Sequence, residues 1–316
     1  MPEAPAAPAT SSAPVVVVVG EILVDIVTQP DGHTAEHVGG SPANVAIGLA
    51  RLGHDTHFAT LVGTDERGAR CEAHVTQRGV RLLPGSVSED HPTSTALATL
   101  DAHGAATYVF DLYWDLPEVA LPEGTGHLHI GSIGTTLEPG EAEVTQAARR
   151  VRATGTVSYD PNVRPTIMGE VDDVRSRVEE LVSLSDVVKC SDDDLDWLYP
   201  GKTPSEVMAR WAGLGASLSV VTLGPEGVTW RVPGGAEGRA PASDTPVVDT
   251  VGAGDSFMAG LVSGLLDEGL LGSAAARERL AAATLDDVAP AITRALATSG
   301  ITIGRAGAYG PTREEI

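Results

Sequence analysis

Short apolar runs rich in β-branched residues alternate with helical patterns along most of the chain. Strands are predicted at residues 15–19, 22–24, 26–27, 127–130, 156–159, 187–189 and 218–222, and helices at 43–52, 66–79, 141–154, 171–184, 203–214 and 255–268. This rhythm of strand and helix is typical of an α/β fold in which helices cover both faces of a mostly parallel sheet. Residues 278–300 add C-terminal helix, and Pro290 is predicted to start a new one.

One segment departs from this rhythm. Residues 94–100 and 105–111 are predicted to form two strands around a turn at 101–104 that ends in Gly104. Together with residues near 23–38 they could form a small antiparallel sheet outside the central one. We therefore expect a separate small sheet built from roughly residues 21–38 and 92–113.

Composition limits the class of protein. The 316 residues carry 43 acidic and 21 basic side chains, a net charge of −22 that disfavours binding to nucleic acid and to anionic membranes. No apolar run approaches the ~20 residues that span a bilayer. The two cysteines offer no disulfide framework, so we expect a cytoplasmic protein. Residues 1–14, rich in Ala, Pro and Ser, are predicted to be a disordered tail.

The segment from Asp249 to Phe257 carries the clearest chemistry. Gly252, Ala253 and Gly254 allow backbone N–H groups to converge on an anion, and the apolar run that follows predicts a helix opening at this point. Asp255 would then lie in the first helical turn, where a carboxylate can take a proton from a hydroxyl while the N–H groups stabilise phosphoryl oxygens. The alternative is a glycine-rich helix start with Asp255 as a charge partner of the helix dipole.

The flanking residues favour the first interpretation. Residues 249–262 resemble the second signature of the ribokinase-like (PfkB) family of sugar kinases, and residues 39–46, with Gly53 and Gly63, resemble its first signature. The resemblance extends from Val15 to the C-terminus and is closest to bacterial fructokinases. It implies a ribokinase-like kinase domain over residues 15–316, a lid of small β-sheet over the sugar, a homodimer formed through that lid, and ATP and Mg²⁺ as cofactors.

The resemblance also implies a sugar site. Asp25 matches the aspartate that binds sugar hydroxyls, Gly39 and Gly40 match a backbone platform, and Asn44 matches an amide on the following helix. Residues 160–164 resemble the DPNxR segment of fructokinases and 2-keto-3-deoxygluconate kinases, and they follow a strand, on the side where open sheets bind ligands. From there Asn162 and Arg164 could reach ATP phosphates or the sugar, although a surface ion pair is an equal alternative for Arg164.

Nucleotide and metal sites follow from the same resemblance. Nucleotide-binding positions are Asn162, Lys189, Ser191, Thr222, Gly224 and Gly227, and metal-binding positions are Asp194, near the water shell of Mg²⁺, and Asp249, Val251 and Gly307 for a monovalent cation such as K⁺. Ser191 and Asp194 stand where the family favours Asn and Glu, which weakens their assignment. The adenine is expected near residues 291–305, where no polar side chain identifies its contacts.

Two histidines suggest metal at first sight. His127 and His129 alternate on one strand face, but no third ligand stands at a motif spacing, so a packed strand is the better interpretation.

The sequence therefore predicts an ATP-dependent kinase that phosphorylates a hydroxyl of a small sugar, with fructose preferred and 2-keto-3-deoxygluconate kinase or ribokinase as alternatives. A phosphofructokinase is disfavoured because no Lys/Arg cluster stands near the sugar motifs. The alternative from another class is a catalytically silent sugar-binding regulatory protein, against which Asp255 and its glycines argue.

Overall fold

The computed structural model describes residues 13–29, 31–100 and 106–316 of the chain. The strands are β1 (Val15–Val19), β2 (Leu23–Thr28), β3 (Thr34–Gly39), β4 (Thr56–Ala59), β5 (Val62–Gly63), β6 (Arg81–Leu82), β7 (Val87–Ser88), β8 (Thr95–Leu100), β9 (Ala106–Asp111), β10 (Thr125–Gly131), β11 (Thr156–Asp160), β12 (Val187–Ser191), β13 (Leu218–Thr222), β14 (Val228–Arg231) and β15 (Glu237–Ala240). The helices are α1 (Ser41–Arg51), α2 (Glu66–Thr76), α3 (Glu141–Arg152), α4 (Pro165–Met168), α5 (Val171–Leu184), α6 (Asp192–Leu198), α7 (Pro204–Leu214), α8 (Ala253–Asp267), α9 (Ala274–Leu280) and α10 (Leu285–Ile303).

The central sheet has the predicted parallel core. Its order is β15-β14-β13-β12-β11-β10-β1-β4-β6, and every pair from β13 to β6 is parallel, whereas β14 and β15 run antiparallel at one edge. One face packs against α1, α8 and α10 and the other against α3, α5 and α7, so the core lies in two layers. Because β1 is buried on both faces, it consists of five consecutive valines rather than an alternating pattern.

A smaller sheet, called the lid sheet below, has the order β3-β2-β8-β9. The pairs β2–β3 and β8–β9 are antiparallel as predicted, but β2 and β8 are parallel, so the expectation of an antiparallel sheet was wrong at its centre. The chain passes through α1 and α2 between β2 and β8, and such a crossover, unlike a hairpin, brings strands together in parallel. The predicted turn at residues 101–104 lies outside the described residues.

The C-terminal helices differ from the prediction at Pro290. The break falls at residues 281–284, and Pro290 lies inside the single helix α10. Thr284 starts this helix through a capping box with Asp287, and burial of Val288 and Ala291 against the core keeps the helix intact around the proline.

Across the described ranges, no helix is both long and apolar enough to cross a membrane. Of the predicted N-terminal tail, residues 1–12 fall outside the described part of the chain.

Candidate active site

The site is built around the beginning of α8, which is the helix predicted from the Gly-Ala-Gly run. Gly252 is its N-cap residue in a left-handed conformation with φ of 76°, and no described side chain caps the helix. A Cβ at Gly252 would lie 2.6 Å from the Cβ of Ala308, so only glycine fits there. The N–H of Ala253 donates to the backbone O of Thr250 over 3.2 Å. The N–H of Gly254 comes next in the first turn of α8 and meets no capping side chain, so it is the group best placed to receive an anion.

Asp255 lies in the first turn of α8, as predicted, and both of its carboxylate oxygens accept hydrogen bonds from α1. Ser41 Oγ donates to Oδ1 over 2.6 Å and Asn44 Nδ2 donates to Oδ2 over 2.8 Å. The N-cap of α1 is Gly40, with φ of 118°, where a Cβ would approach the backbone O of Glu21 to 2.6 Å. Two helix N-termini thus meet at one carboxylate.

Asp25 projects from the lid sheet. It stands in β2 beside Gly39 of β3, where an added Cβ would lie 2.2 Å from Asp25 Oδ2, so the absence of a side chain at Gly39 gives the carboxylate its space. Burial raises the pKa of Asp25, while the neighbouring His37 and Arg164 oppose that rise. The structure therefore brings Asp25, Gly39 and Arg164 into one neighbourhood.

Arg164 is exposed in the loop after β11. Its Nη1 donates to the backbone O and the Oδ1 of Asn162, at 3.1 and 2.9 Å, and to the O of Val163 at 2.9 Å. Asn162 adopts the left-handed conformation with φ of 39°, uncommon for a residue with a side chain. Local hydrogen bonds thus hold both residues in the loop, and Arg164 reaches Asp25 and Glu21 through its charge.

A buried ion pair lies close to the first turn of α8. Lys189 Nζ donates to Asp160 Oδ2 over 2.9 Å, and a Cβ at Gly254 would stand 3.1 Å from that ammonium. Burial raises the pKa of Asp160 to about 6, opposed by Lys189 and assisted by the neighbouring charge of Asp194. Burial alone would lower the pKa of Lys189, but the surrounding carboxylates outweigh it and raise that pKa. The ammonium therefore stays charged close to the first turn of α8.

Asp194 and Ser191 form the start of α6 at the ends of β11 and β12. Ser191 Oγ accepts a hydrogen bond from the N–H of Asp194. In return, Asp194 Oδ2 accepts from the N–H of Ser191, and Asp194 Oδ1 accepts from the N–H of Val163. Each carboxylate oxygen retains a second lone pair, which suits contact with the water shell of Mg²⁺. Asp160 Oδ1, buried and without a partner among the described residues, adds a further acceptor, so the donor set fits a hydrated divalent cation.

The turn between β13 and β14 contains the predicted nucleotide residues Thr222, Gly224 and Gly227. Thr222 Oγ1 donates to the backbone O of Cys190 over 3.3 Å. Gly227, with φ of 95°, approaches Ala240 so closely that a Cβ would lie 2.1 Å from its carbonyl oxygen. A Cβ at Gly224 would meet nothing within 4 Å, which leaves open space beside the turn.

The residues predicted for a monovalent cation come together. Asp249 Oδ1 accepts from the N–H of Val251 over 3.0 Å, and its Oδ2 accepts from the N–H of Gly307 over 2.8 Å. These backbone hydrogen bonds lower the pKa of Asp249. The side chain thus joins two loops, and the carbonyls of Val251 and Gly307 belong to the segments it joins.

The two histidines of β10 are packed as predicted. The His127 ring contacts Thr156 Oγ1 and Ser158 Oγ at 2.9 Å, and the His129 ring contacts Ser158 Oγ at 3.0 Å. Burial lowers the pKa of each to about 3, so both rings are neutral parts of the core.

Sequence reasoning missed three side chains here: Ser41, Asp160 and Glu21. Ser41 and Asp160 were quoted only as members of longer motifs, and nothing in the sequence signals their partners. Glu21 Oε2 accepts from the N–H of Gly134 over 3.0 Å, and burial raises its pKa to about 7 against hydrogen bonds from Ser132 and Gly134. Its position after a buried strand, beside Gly20, was the available signal.

A separate cavity of about 700 Å³ lies among α5, α6 and α7 and does not reach Asp255. Its cations already have carboxylate partners: Arg175 with Asp172, Lys202 with Glu206, and Arg210 with Glu179. The start of α8, and not this cavity, is therefore the candidate active site.

The Asp255 carboxylate lies at the uncapped start of α8, beside the carboxyl ends of a parallel sheet that carries a small lid sheet, and this arrangement defines a ribokinase-like α/β fold. The sequence profile described as "pfkB family carbohydrate kinase" matches residues 14–315. The chain therefore belongs to the PfkB family of carbohydrate kinases.

Named relatives and solved structures of this family resemble the chain along most of its length. The chain is 34% identical to a fructokinase of Klebsiella pneumoniae over 262 residues, which is 80% of this chain and 85% of the relative. A fructokinase of Escherichia coli is 34% identical over 263 residues, with the same coverage. The ATP-bound structure of a fructokinase from Xylella fastidiosa superposes with a TM-score of 0.82 at 26% identity, covering 95% of this chain and 96% of that one. A double mutant of Vibrio cholerae fructokinase with bound fructose, ADP and potassium ion gives 0.77 at 25% identity, covering 96% and 97%.

Proposed function

We propose that this PfkB kinase is a fructokinase, which transfers the γ-phosphoryl group of ATP to a hydroxyl of D-fructose. The observation that carries the proposal is the Asp255 carboxylate, held by Ser41 and Asn44 at the uncapped start of α8. Several relatives at about 30–34% identity are named fructokinases, which supports fructose as the substrate.

In this proposal the sugar lies between the lid sheet and α1. Asp25 and Asn44 bind its hydroxyls, because carboxylate and carboxamide groups can each meet two polar atoms. Gly39 and Gly40 let the ring approach the backbone, and Arg164 closes the side next to Asp25. An apolar cluster of Leu23, Ala96 and Ile133, with Ile167 and Met168 packed against it, completes the wall beneath the lid.

ATP lies across the carboxyl ends of β11, β12 and β13. We assign its phosphates to Asn162, Lys189 and Ser191 and its remaining contacts to Thr222, Gly224 and Gly227. Mg²⁺ bound to ATP would neutralise phosphate charge, with Asp194 holding part of its water shell. The loops joined by Asp249 would hold K⁺ through the carbonyls of Val251 and Gly307, as a potassium ion accompanies the Vibrio fructokinase.

Asp255 then acts as the general base. It accepts the hydroxyl proton as the sugar oxygen attacks, and the N–H groups of Gly252, Ala253 and Gly254 stabilise the charge on the transferred group. Lys189 lies on the same side and adds a fixed positive charge. Closure of the lid sheet would exclude water, which otherwise competes with the sugar as acceptor.

The position of Arg164 favours a second candidate substrate, a sugar acid. Its exposed guanidinium lies close enough to Asp25 to influence the pKa of that carboxylate, so a sugar acid such as 2-keto-3-deoxygluconate would find a cation at the site. Ribokinase remains the further alternative within the class, and a catalytically silent sugar-binding protein is the alternative outside it.

The decisive assay measures ADP release with fructose, ribose, 2-keto-3-deoxygluconate and fructose 6-phosphate. We expect the highest kcat/KM for fructose. A higher value for 2-keto-3-deoxygluconate would replace the fructokinase proposal, and no turnover with any sugar would favour the silent binding protein.

We also propose that the protein is cytoplasmic and that it dimerises through the lid sheet. The described cysteines are free and buried, which suits a reducing compartment. Val109 of β9 is 60% exposed on the lid sheet, where a second copy could cover it. Sedimentation of the purified protein would show a dimer if this holds and a monomer if it does not.

A further inference from the structure

Ser41 makes a contact unlike those of three hydroxyl residues that cap helices in this chain. Ser191, Thr203 and Ser273 are N-cap residues whose oxygens accept from a backbone N–H of their own helix. Ser41 lies one position further in, as the first residue of α1, and its hydroxyl donates across to Asp255 of α8. Its hydrogen bond therefore joins two helices instead of capping one.

The two donors of α1 bind different oxygens of the Asp255 carboxylate. Ser41 holds Oδ1 and Asn44 holds Oδ2, at 2.6 and 2.8 Å. The torsion about the last side-chain bond of an aspartate is only weakly restricted by the side chain itself, so its hydrogen bonds decide the orientation of the carboxylate. One donor on each oxygen fixes the plane of the group, and the remaining lone pairs stay free for an incoming hydroxyl.

The position of Ser41 is itself held from both sides. Gly40, with φ of 118° and no room for a Cβ, sets the direction in which the chain enters α1, and Pro42 occupies the second helical position, where its fixed φ suits the first turn. A hydroxyl carried on so constrained a segment can place the partner carboxylate before any substrate binds.

We propose that Ser41 is a positioning residue of the phosphoryl transfer: it orients the Asp255 carboxylate so that a free lone pair meets the attacking sugar hydroxyl. This inference rests on the proposed function. Because Ser41 acts through Asp255 and not on the sugar, its loss should slow the chemical step and leave sugar binding nearly unchanged.

The test compares Ser41→Ala, Ser41→Thr and Ser273→Ala with the wild type, using kcat and KM for fructose at saturating ATP. Misplacing a catalytic group by a fraction of an ångström slows turnover, so we expect kcat of Ser41→Ala to fall about tenfold with KM within about twofold. Ser41→Thr, which restores the hydroxyl, should recover most of the loss. Ser273→Ala removes a helix cap far along the chain and should leave kcat unchanged.

Two results would overturn the inference: an unchanged kcat for Ser41→Ala, or a faster one. If the unchanged kcat came with a raised KM, Ser41 would instead be a sugar ligand. A cycle of melting temperatures for Ser41→Ala, Asp255→Ala and the double variant gives a readout independent of turnover. We expect the double variant to depart from the sum of the single shifts by about 2 °C or more. Additive shifts would show that the two side chains do not interact, whereas an inactive wild type with non-additive shifts would count against the proposed function alone.

Discussion

The central sheet and the lid sheet are stabilised by different means. Strand β1 is buried along nearly its whole length and lies between two apolar layers, whereas β2 is half-buried from Asp25 onward and β3 is exposed or half-buried throughout. Burial of apolar side chains dominates the stability of the first, and the second has less apolar surface to bury. We therefore expect the central sheet to act as a rigid frame and the lid sheet to be the part that moves.

At the edge of the lid sheet, polar contacts replace part of the stability that apolar burial gives the central sheet. Glu36 of β3 accepts hydrogen bonds from Arg67 and Arg70 of α2, and these bonds lower the pKa of Glu36. Asp65, the N-cap of α2, also accepts from the N–H and the hydroxyl of Thr93, just before β8. The lid sheet is thus fastened to α2 by groups that water can replace, which suits a segment that opens and closes.

The largest effect is expected in the buried frame. Lys189→Met would leave Asp160 buried without its cation, so the free energy of unfolding should fall by about 3–5 kcal/mol in denaturant titrations. The combined Lys189→Met and Asp160→Asn variant removes both charges and should recover most of this loss. Lys202→Met, which breaks an exposed pair with Glu206, is the control and should change nothing measurable. Equal stability of Lys189→Met and the wild type would contradict a frame that depends on this pair.

A smaller effect is expected where the lid sheet meets the sugar. Asp25→Ala should weaken fructose binding by about 1–3 kcal/mol, because a sugar hydroxyl loses its acceptor. Isothermal titration with fructose measures it, and Asp31→Ala, on the exposed β2–β3 loop, serves as the control. Unchanged affinity in Asp25→Ala would place the sugar elsewhere.

The smallest effect concerns the fastening of the lid sheet. Glu36→Gln weakens the contacts with Arg67 and Arg70, so amide hydrogen exchange in Thr34–Gly39 should become faster, while β1 stays protected. Added fructose should slow exchange in Thr95–Leu100 and Ala106–Asp111 of the wild type. Glu226→Gln breaks an exposed pair with Arg239 and is the matched control. If exchange in the lid sheet responded neither to Glu36→Gln nor to fructose, the lid would be a fixed appendage.

The same contrast explains what the sequence could predict. In the frame, continuous apolar runs such as residues 15–19 and 218–222 identified strands, and the parallel order followed from the helices between them. In the lid sheet the strands could be predicted, but the parallel pairing of β2 with β8 depends on the path of residues 29–94 between them. Pro290 was misjudged because tertiary burial of α10, invisible in a local pattern, keeps the helix continuous.

The candidate site likewise contains residues that the sequence could predict and contacts that it could not. A backbone position that has no room for a side chain appears in the sequence as a glycine. Gly40 and Gly252 could therefore be recognised from their motifs, and Asp255 and Asn44 with them. Contacts between side chains that are distant in sequence have no such signature in a local motif. The bond from Ser41 to Asp255 crosses 214 positions, and the pair of Asp160 with Lys189 joins separate strands.

The most direct test of the account is the Asp255→Asn variant, assayed for turnover and for fructose affinity in the same preparation. Asparagine keeps the size of the side chain and can still hydrogen-bond to a hydroxyl, but it cannot accept the proton. We predict that kcat falls by roughly 10²–10⁴-fold while the fructose dissociation constant changes little. A folded Asp255→Asn protein with nearly normal kcat would show that the carboxylate is only a charge at a helix start, and the mechanism proposed here would be wrong.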